Sequence, residues 1–211
     1  MFMSLAFDLE GNLIDLRSAQ VFFPESHSWG DLDDIPAELA PVSETDAVTR
    51  LQQQSGRCRV PVGILGGRKA SEEQLADALE LGTLIAQMGL TLICGGRQGV
   101  MEAACKGATE AGGICVGLLP DESPDSANSY VTIPLATGIG VARNAILTRA
   151  ALCLVAIGGG YGTLSEIAFG LQFEKKVIGL SGAPNIPGML SCRNPKEAAA
   201  RIARVVLNLP Q

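Results

Sequence analysis

Aromatic side chains make up only 4% of this 211-residue chain, and histidine occurs once, as His27. A core with so few rings has to be aliphatic, and abundant Ala, Val, Ile, Leu and Gly is what stacked helix-on-sheet layers use. The lone histidine lies in an acidic stretch, far from the six cysteines, none of which forms a CxxC pair. That excludes zinc-type ligand spacings, so no metal site is expected. Cysteines in apolar runs such as "LTLIC" and "ALCLVAI" read as small, reduced, buried hydrophobes. Positive charge is also short, with 16 Lys+Arg against 22 Asp+Glu and a net charge of −6. An acidic surface argues against a general nucleic-acid binder. A small phosphorylated ligand is still allowed, because a local cluster of donors overrules the net sign. No apolar run approaches the roughly 18 residues of a membrane span. The opening "MFMSLAFDLEGN" lacks the basic start and long apolar stretch of a secretory signal. The expectation is a soluble, cytoplasmic protein.

Residues 1–58 read as an N-terminal extension. "LAFDLEGNLIDLRSAQVFF" predicts a hairpin turning at Glu10-Gly11-Asn12. "PESHSWGDLDDIPAELAPVSETD" is acidic, carries prolines and has no period, so a loop or linker is expected, followed by a short helix in "AVTRLQQQ". Residues 59–211 are regular. Apolar strands in "VPVGILGG", "LTLICGG", "ICVGLLP", "VTIPLATG", "LCLVAIGGG" and "KKVIGLS" alternate with helical segments. Ser71 and Gln74 form a capping box, and Asn194 precedes Pro195 as a cap for the terminal helix. Continuously apolar strands between helices predict an α/β, Rossmann-like doubly wound parallel sheet with helices on both faces. Ligands on such sheets bind beyond the carboxyl ends of the strands. Three glycine loops fall there: Gly66-Gly67 with Arg68, Gly95-Gly96 with Arg97, and the run from Gly159 to Thr163.

Familiar phosphate fingerprints fail. A Walker loop from Gly63 needs a glycine where Arg68 stands, and a GxGxxG from Gly158 needs one where Thr163 stands. The second strand ends in "CGG" with no carboxylate for an adenosine ribose, so NAD is not expected. The residues present nevertheless suit an anion. Gly159, Gly160, Tyr161 and Gly162 lead into a helix whose first-turn amides and dipole favour negative charge. Thr163 adds a hydroxyl. Glu166, three residues on, lies on the same helix face, where a carboxylate suits the hydroxyls of a sugar better than a phosphate. The stretch reads as a site for phosphate followed by ribose. Glycines serving only a tight strand-to-helix turn are the bland alternative.

"GGYGTLSE", with "GILGG", "CGGRQGVMEAACKGA" and "GVARNAILTRAALCLVAI", resembles the LONELY GUY superfamily over about residues 59–182. The pattern is nearest to the bacterial branch similar to molybdenum-cofactor carrier proteins. Superfamily members that are phosphoribohydrolases split AMP or cytokinin ribotides into free base and ribose 5-phosphate. The resemblance carries their essential arginine onto Arg143 and their motif glutamate onto Glu166. Gly158 stands in place of the motif proline, and "GVARN" replaces the usual surroundings of the arginine. Two functions follow from the resemblance, a carrier holding molybdenum cofactor and a nucleoside 5′-monophosphate phosphoribohydrolase; a non-catalytic nucleotide sensor regulated through the extension is the third reading. The resemblance implies a homodimer or homotetramer, to which the apolar content of the helices around Ile146 and Ile167 adds a hint, and no required cofactor. Although such proteins are often labelled lysine decarboxylases, no pattern here marks a lysine for pyridoxal phosphate.

Overall fold

The computed structural model describes residues 4–54 and 58–211. The start of the N-terminal extension and the three residues before Cys58 lie outside them. The chain opens with β1 (Leu5–Phe7), β2 (Leu13–Asp15), β3 (Gln20–Phe23), β4 (Ser28–Asp31) and β5 (Ala40–Val42). These make one antiparallel sheet in the order β4-β3-β2-β1-β5. Asp8 closes the β1–β2 hairpin by accepting the backbone and side-chain N–H groups of Asn12, both at 2.8 Å. The stretch expected as a loop or linker thus contains two strands. Both are edge strands with little buried apolar surface, so no alternation marks them, and Pro41 is tolerated because an edge strand has no ladder bond to lose there.

Helix α1 (Glu44–Gln52), capped by Ser43, leads into the second sheet. Its elements are β6 (Val62–Gly66), α2 (Glu72–Gln87), β7 (Leu92–Cys94), α3 (Val100–Glu110), β8 (Cys115–Leu119), β9 (Ile133–Ala136), α4 (Arg143–Ala150), β10 (Leu154–Ile157), α5 (Tyr161–Gln172), β11 (Val177–Leu180), β12 (Leu190–Ser191) and α6 (Pro195–Val206). All seven strands run parallel, in the order β12-β11-β10-β6-β7-β8-β9. This is the doubly wound arrangement expected from the sequence. The two-residue β12 was not expected, since a strand that short leaves no hydrophobic pattern. The direction of winding reverses between β6 and β10, and such a reversal opens a crevice between the loops that follow the two strands.

Helices α2, α3 and α6 cover one face of the sheet, and α4 and α5 cover the other. Leu5, Phe7, Leu13 and Phe22 of the N-terminal sheet join the buried cluster formed with α1, α2, α3 and α6. A polar seam supplements it: Trp29 Nε1 donates to the Leu207 carbonyl at 2.7 Å, and Arg204 pairs with Glu44. All six cysteines are free and buried. Ile146 is half exposed, but Ile167 is fully buried against the sheet and offers no surface. Its place in the helical period faces the strands, which overrides its promise as a contact residue. No helix among the described residues is long and apolar enough to cross a membrane.

Helices α2 and α3 touch through their backbones. A Cβ added at Gly82 would sit 2.1 Å from the Ala104 carbonyl oxygen. Gly82→Ala is therefore expected to push the helices apart at a cost of about 1–3 kcal/mol. That exceeds the roughly 1 kcal/mol of helix propensity it gains. A lower urea midpoint with unchanged slope would show it, and an unchanged midpoint would show that the helices separate freely.

Candidate functional site

The carboxyl ends of β10, β6, β7 and β8 floor a cleft of about 480 Å³. Gly66, Gly67 and Arg68 reach it from the loop after β6, and Gly95 and Arg97 from the loop after β7. Gly160, Gly162 and Thr163 reach it from the start of α5, with Arg143 and Glu166 in its wall. Gly96, Gly159 and Tyr161 are not in the lining. Gly96 packs behind the loop against Gly117, Tyr161 points to solvent, and Gly159 makes the turn. At Gly159 φ is +139° and a Cβ would strike the Thr163 side chain at 2.7 Å, so only glycine serves there.

Gly160 is the N-cap of α5, and no side chain caps this end. A Cβ at Gly160 or Gly162 would meet nothing within 4 Å. These two glycines thus serve no packing need of the protein. They leave the backbone of the first helical turn open to the cleft, at the positive end of the helix dipole.

Arg143 is the first residue of α4, and Glu166 lies in the second turn of α5. Arg143 Nη1 donates to Glu166 Oε1 at 2.9 Å, with both side chains about nine-tenths buried. The guanidinium packs against the loop after β7, where a Cβ at Gly95 would come within 2.4 Å of Arg143 Nη2. Arg143 Nε is buried with no hydrogen-bond partner. Burial pushes the Glu166 carboxyl above the usual glutamate range, and the adjacent guanidinium pulls it partly back. Asn144 and Ser165 lock α4 to α5: Asn144 Nδ2 donates to Ser165 Oγ at 3.0 Å, and Ser165 Oγ donates to the Gly162 carbonyl at 2.7 Å.

The lining also includes Met101, Pro120, Asp121, Gly140, Val141 and Asn144, which sequence reasoning did not single out. Asp121 pairs with Arg97 at 3.1 Å, whereas Arg68 has no ion-pair partner among the described residues. Only Asp121 had any signal, as a carboxylate directly after a strand. His27 lies in the β3–β4 turn against Phe22, outside the cleft. No cluster of three or more metal-ligating side chains occurs among the described residues.

A family model described as the SLOG cluster4 family matches residues 59–205. The molybdenum cofactor binding protein of the phototrophic bacterium Rippkaea orientalis is similar in structure, with a TM-score of 0.67 and 32% identity over 71% of this chain and 98% of that one. The Moco carrier protein of Chlamydomonas reinhardtii gives a TM-score of 0.65 and 36% identity over 72% of this chain and all of that one. A cytokinin riboside 5′-monophosphate phosphoribohydrolase of Rhodococcoides fascians is 28% identical over 61% of this chain and 66% of its own.

Proposed function

The chain belongs to the SLOG cluster4 family, and from that premise we propose that its cleft holds a small phosphorylated, nucleotide-like ligand in the manner of a molybdenum-cofactor carrier. One observation carries the reading: the uncapped start of α5, flanked by Gly160 and Gly162, opens into a cleft that Arg143 also lines. A phosphate monoester at α5 would take the first-turn amides and the Thr163 hydroxyl. In this reading molybdenum cofactor is cargo, recognised by its phosphate end. Structural similarity to two proteins described as binding or carrying that cofactor supports the same view.

The buried Arg143–Glu166 pair favours a second reading, N-glycosidic cleavage of a nucleoside monophosphate. Glu166 would hold the ribose hydroxyls and stabilise the oxocarbenium-like ribose as the base departs, while Arg143 keeps the carboxylate ionised and its remaining N–H groups meet the phosphate or base. One sample separates the two. Incubation with nucleoside monophosphates should release no free base on chromatography, whereas titration with molybdenum cofactor or its metal-free pterin should saturate. If base is released instead, Glu166→Ala should abolish release and spare phosphate binding. Base release with no pterin binding would overturn the carrier reading. Binding of nucleotides alone, without release, would mark a sensor.

Self-association belongs to the same proposal. Ile133, Leu135, Ile139, Val141, Ile146 and Tyr161 are exposed on β9, α4, α5 and the segment between β9 and α4, and edge strand β9 is exposed along its length. An apolar surface of this extent suits a second copy of the chain.

A further inference from the structure

Phosphate and sugar account for one end of the cleft, and the other end has its own chemistry. Neighbouring strands lie about 4.8 Å apart, so the loop after β8 stands roughly 14 Å from the start of α5, three strands away. That is the span of a phosphate, a sugar-sized linker and a bicyclic ring. At the far end, Arg97 and Asp121 reach the cleft from the loops after β7 and β8. Arg97 Nη2 donates to Asp121 Oδ1 at 3.3 Å and lies 3.1 Å from Oδ2.

Both residues are held in place. Asn128, itself buried, donates Nδ2 to the Arg97 carbonyl at 2.9 Å and its backbone N–H to the Gly96 carbonyl at 2.8 Å. Asp121 Oδ2 also accepts the Ser126 hydroxyl. These bonds use two of the roughly four lone-pair positions of a carboxylate. Asp121 engages Arg97 only through Nη2, and the arginine side chain is partly exposed, so other N–H groups of its guanidinium are left unused. The pair therefore presents two free acceptor positions beside unused guanidinium N–H groups. Met101 and Pro120 provide apolar surface next to it.

We propose that Arg97 and Asp121 read the 2-amino-4-oxopyrimidine edge shared by pterin and guanine rings, an assignment that rests on the phosphate-ligand reading above. That edge carries a ring N–H and an exocyclic amino group side by side, two parallel donors that match two carboxylate oxygens. A ring carbonyl or nitrogen accepts from a guanidinium N–H that Asp121 leaves unused. Adenine turns a lone pair, rather than a donor, toward a carboxylate in that position. Hypoxanthine keeps the ring N–H and loses the amino group.

Calorimetric titrations with GMP, IMP, AMP, neopterin monophosphate and inorganic phosphate test this. GMP and neopterin monophosphate should bind roughly ten- to a hundredfold more tightly than AMP, the range that a bidentate edge contact gives, with IMP between them. Asp121→Asn should bring both down to the level of AMP and leave inorganic phosphate unchanged. Preference for the pterin over GMP, or the reverse, identifies which ring the site serves. AMP binding as tightly as GMP in the native protein overturns the assignment, as does an Asp121→Asn variant that keeps the preference, while the phosphate site stands. No binding of inorganic phosphate or any monophosphate removes the phosphate reading and this assignment with it.

Discussion

Gly160→Asp is expected to weaken phosphate and nucleoside-monophosphate binding by at least a hundredfold and to leave the fold intact. The backbone at Gly160 is extended, with φ −128° and ψ −160°, a conformation open to any residue, and a Cβ there meets no atom of the protein within 4 Å. Aspartate is moreover a preferred N-cap, so α5 should gain roughly a few tenths of a kcal/mol over glycine. The same carboxylate would sit where the ligand anion is held and take the helix amides for itself. A hundredfold loss corresponds to about 2.8 kcal/mol, within reach of a displaced charge-assisted anion contact. Binding and stability should thus move in opposite directions, which separates this outcome from misfolding. Calorimetric titration beside thermal unfolding checks it. Unchanged affinity in a folded variant would place the anion elsewhere in the cleft.

Arg143→Ala should have the largest effect on stability, and one that depends on pH. Removing the guanidinium leaves the buried Glu166 carboxylate without its ion-pair partner, a change that costs about 3–5 kcal/mol in comparable buried pairs. Burial raises Glu166 and Arg143 lowers it, so with the arginine gone only the raising influence remains. A carboxyl whose folded-state pKa exceeds its unfolded one favours folding fully below the unfolded value, and that contribution is lost as pH rises through the folded value. The variant should therefore be closest to native stability below the ordinary glutamate value of about 4.3, where Glu166 is protonated folded and unfolded alike. It should fall away toward neutrality. Replacing both partners, as Arg143→Met with Glu166→Met, should recover much of the loss, because no charge is then left unpaired. Urea unfolding across a pH series reads this directly. A loss of equal size at every pH would mean that Arg143 acts through packing and not through the carboxylate.

What could be read in the sequence follows from what leaves a local trace. The parallel sheet was legible because each of its longer strands is a continuous apolar run and helical segments stand between most of them, two with recognisable caps at Ser71 and Asn194. The glycine loops were legible because their positions after strands fix which edge of the sheet they occupy. The Arg143–Glu166 contact was not, since the two residues lie 23 positions apart on different helices and meet only through packing of α4 on α5. Asp121 and Asn128 were missed for a related reason: their loop has no period, and its hydrogen bonds run back to Arg97 and Gly96. Strands β4 and β5 escaped because at a sheet edge the backbone ladder, rather than side-chain burial, decides the conformation.

The hydrogen bond from Trp29 to Leu207 has a practical consequence. Trp29 is the only tryptophan in the chain, and it lies where the antiparallel sheet meets the end of α6, with Phe22 5.1 Å from it, centroid to centroid. An indole that leaves such a half-buried, hydrogen-bonded place for water shifts its emission to the red. The protein thus carries its own optical gauge of whether the N-terminal sheet stays seated on the cofactor-carrier-like core. The gauge stands well clear of the cleft, so a ligand that moves it must act through the body of the protein and not by touching the dye.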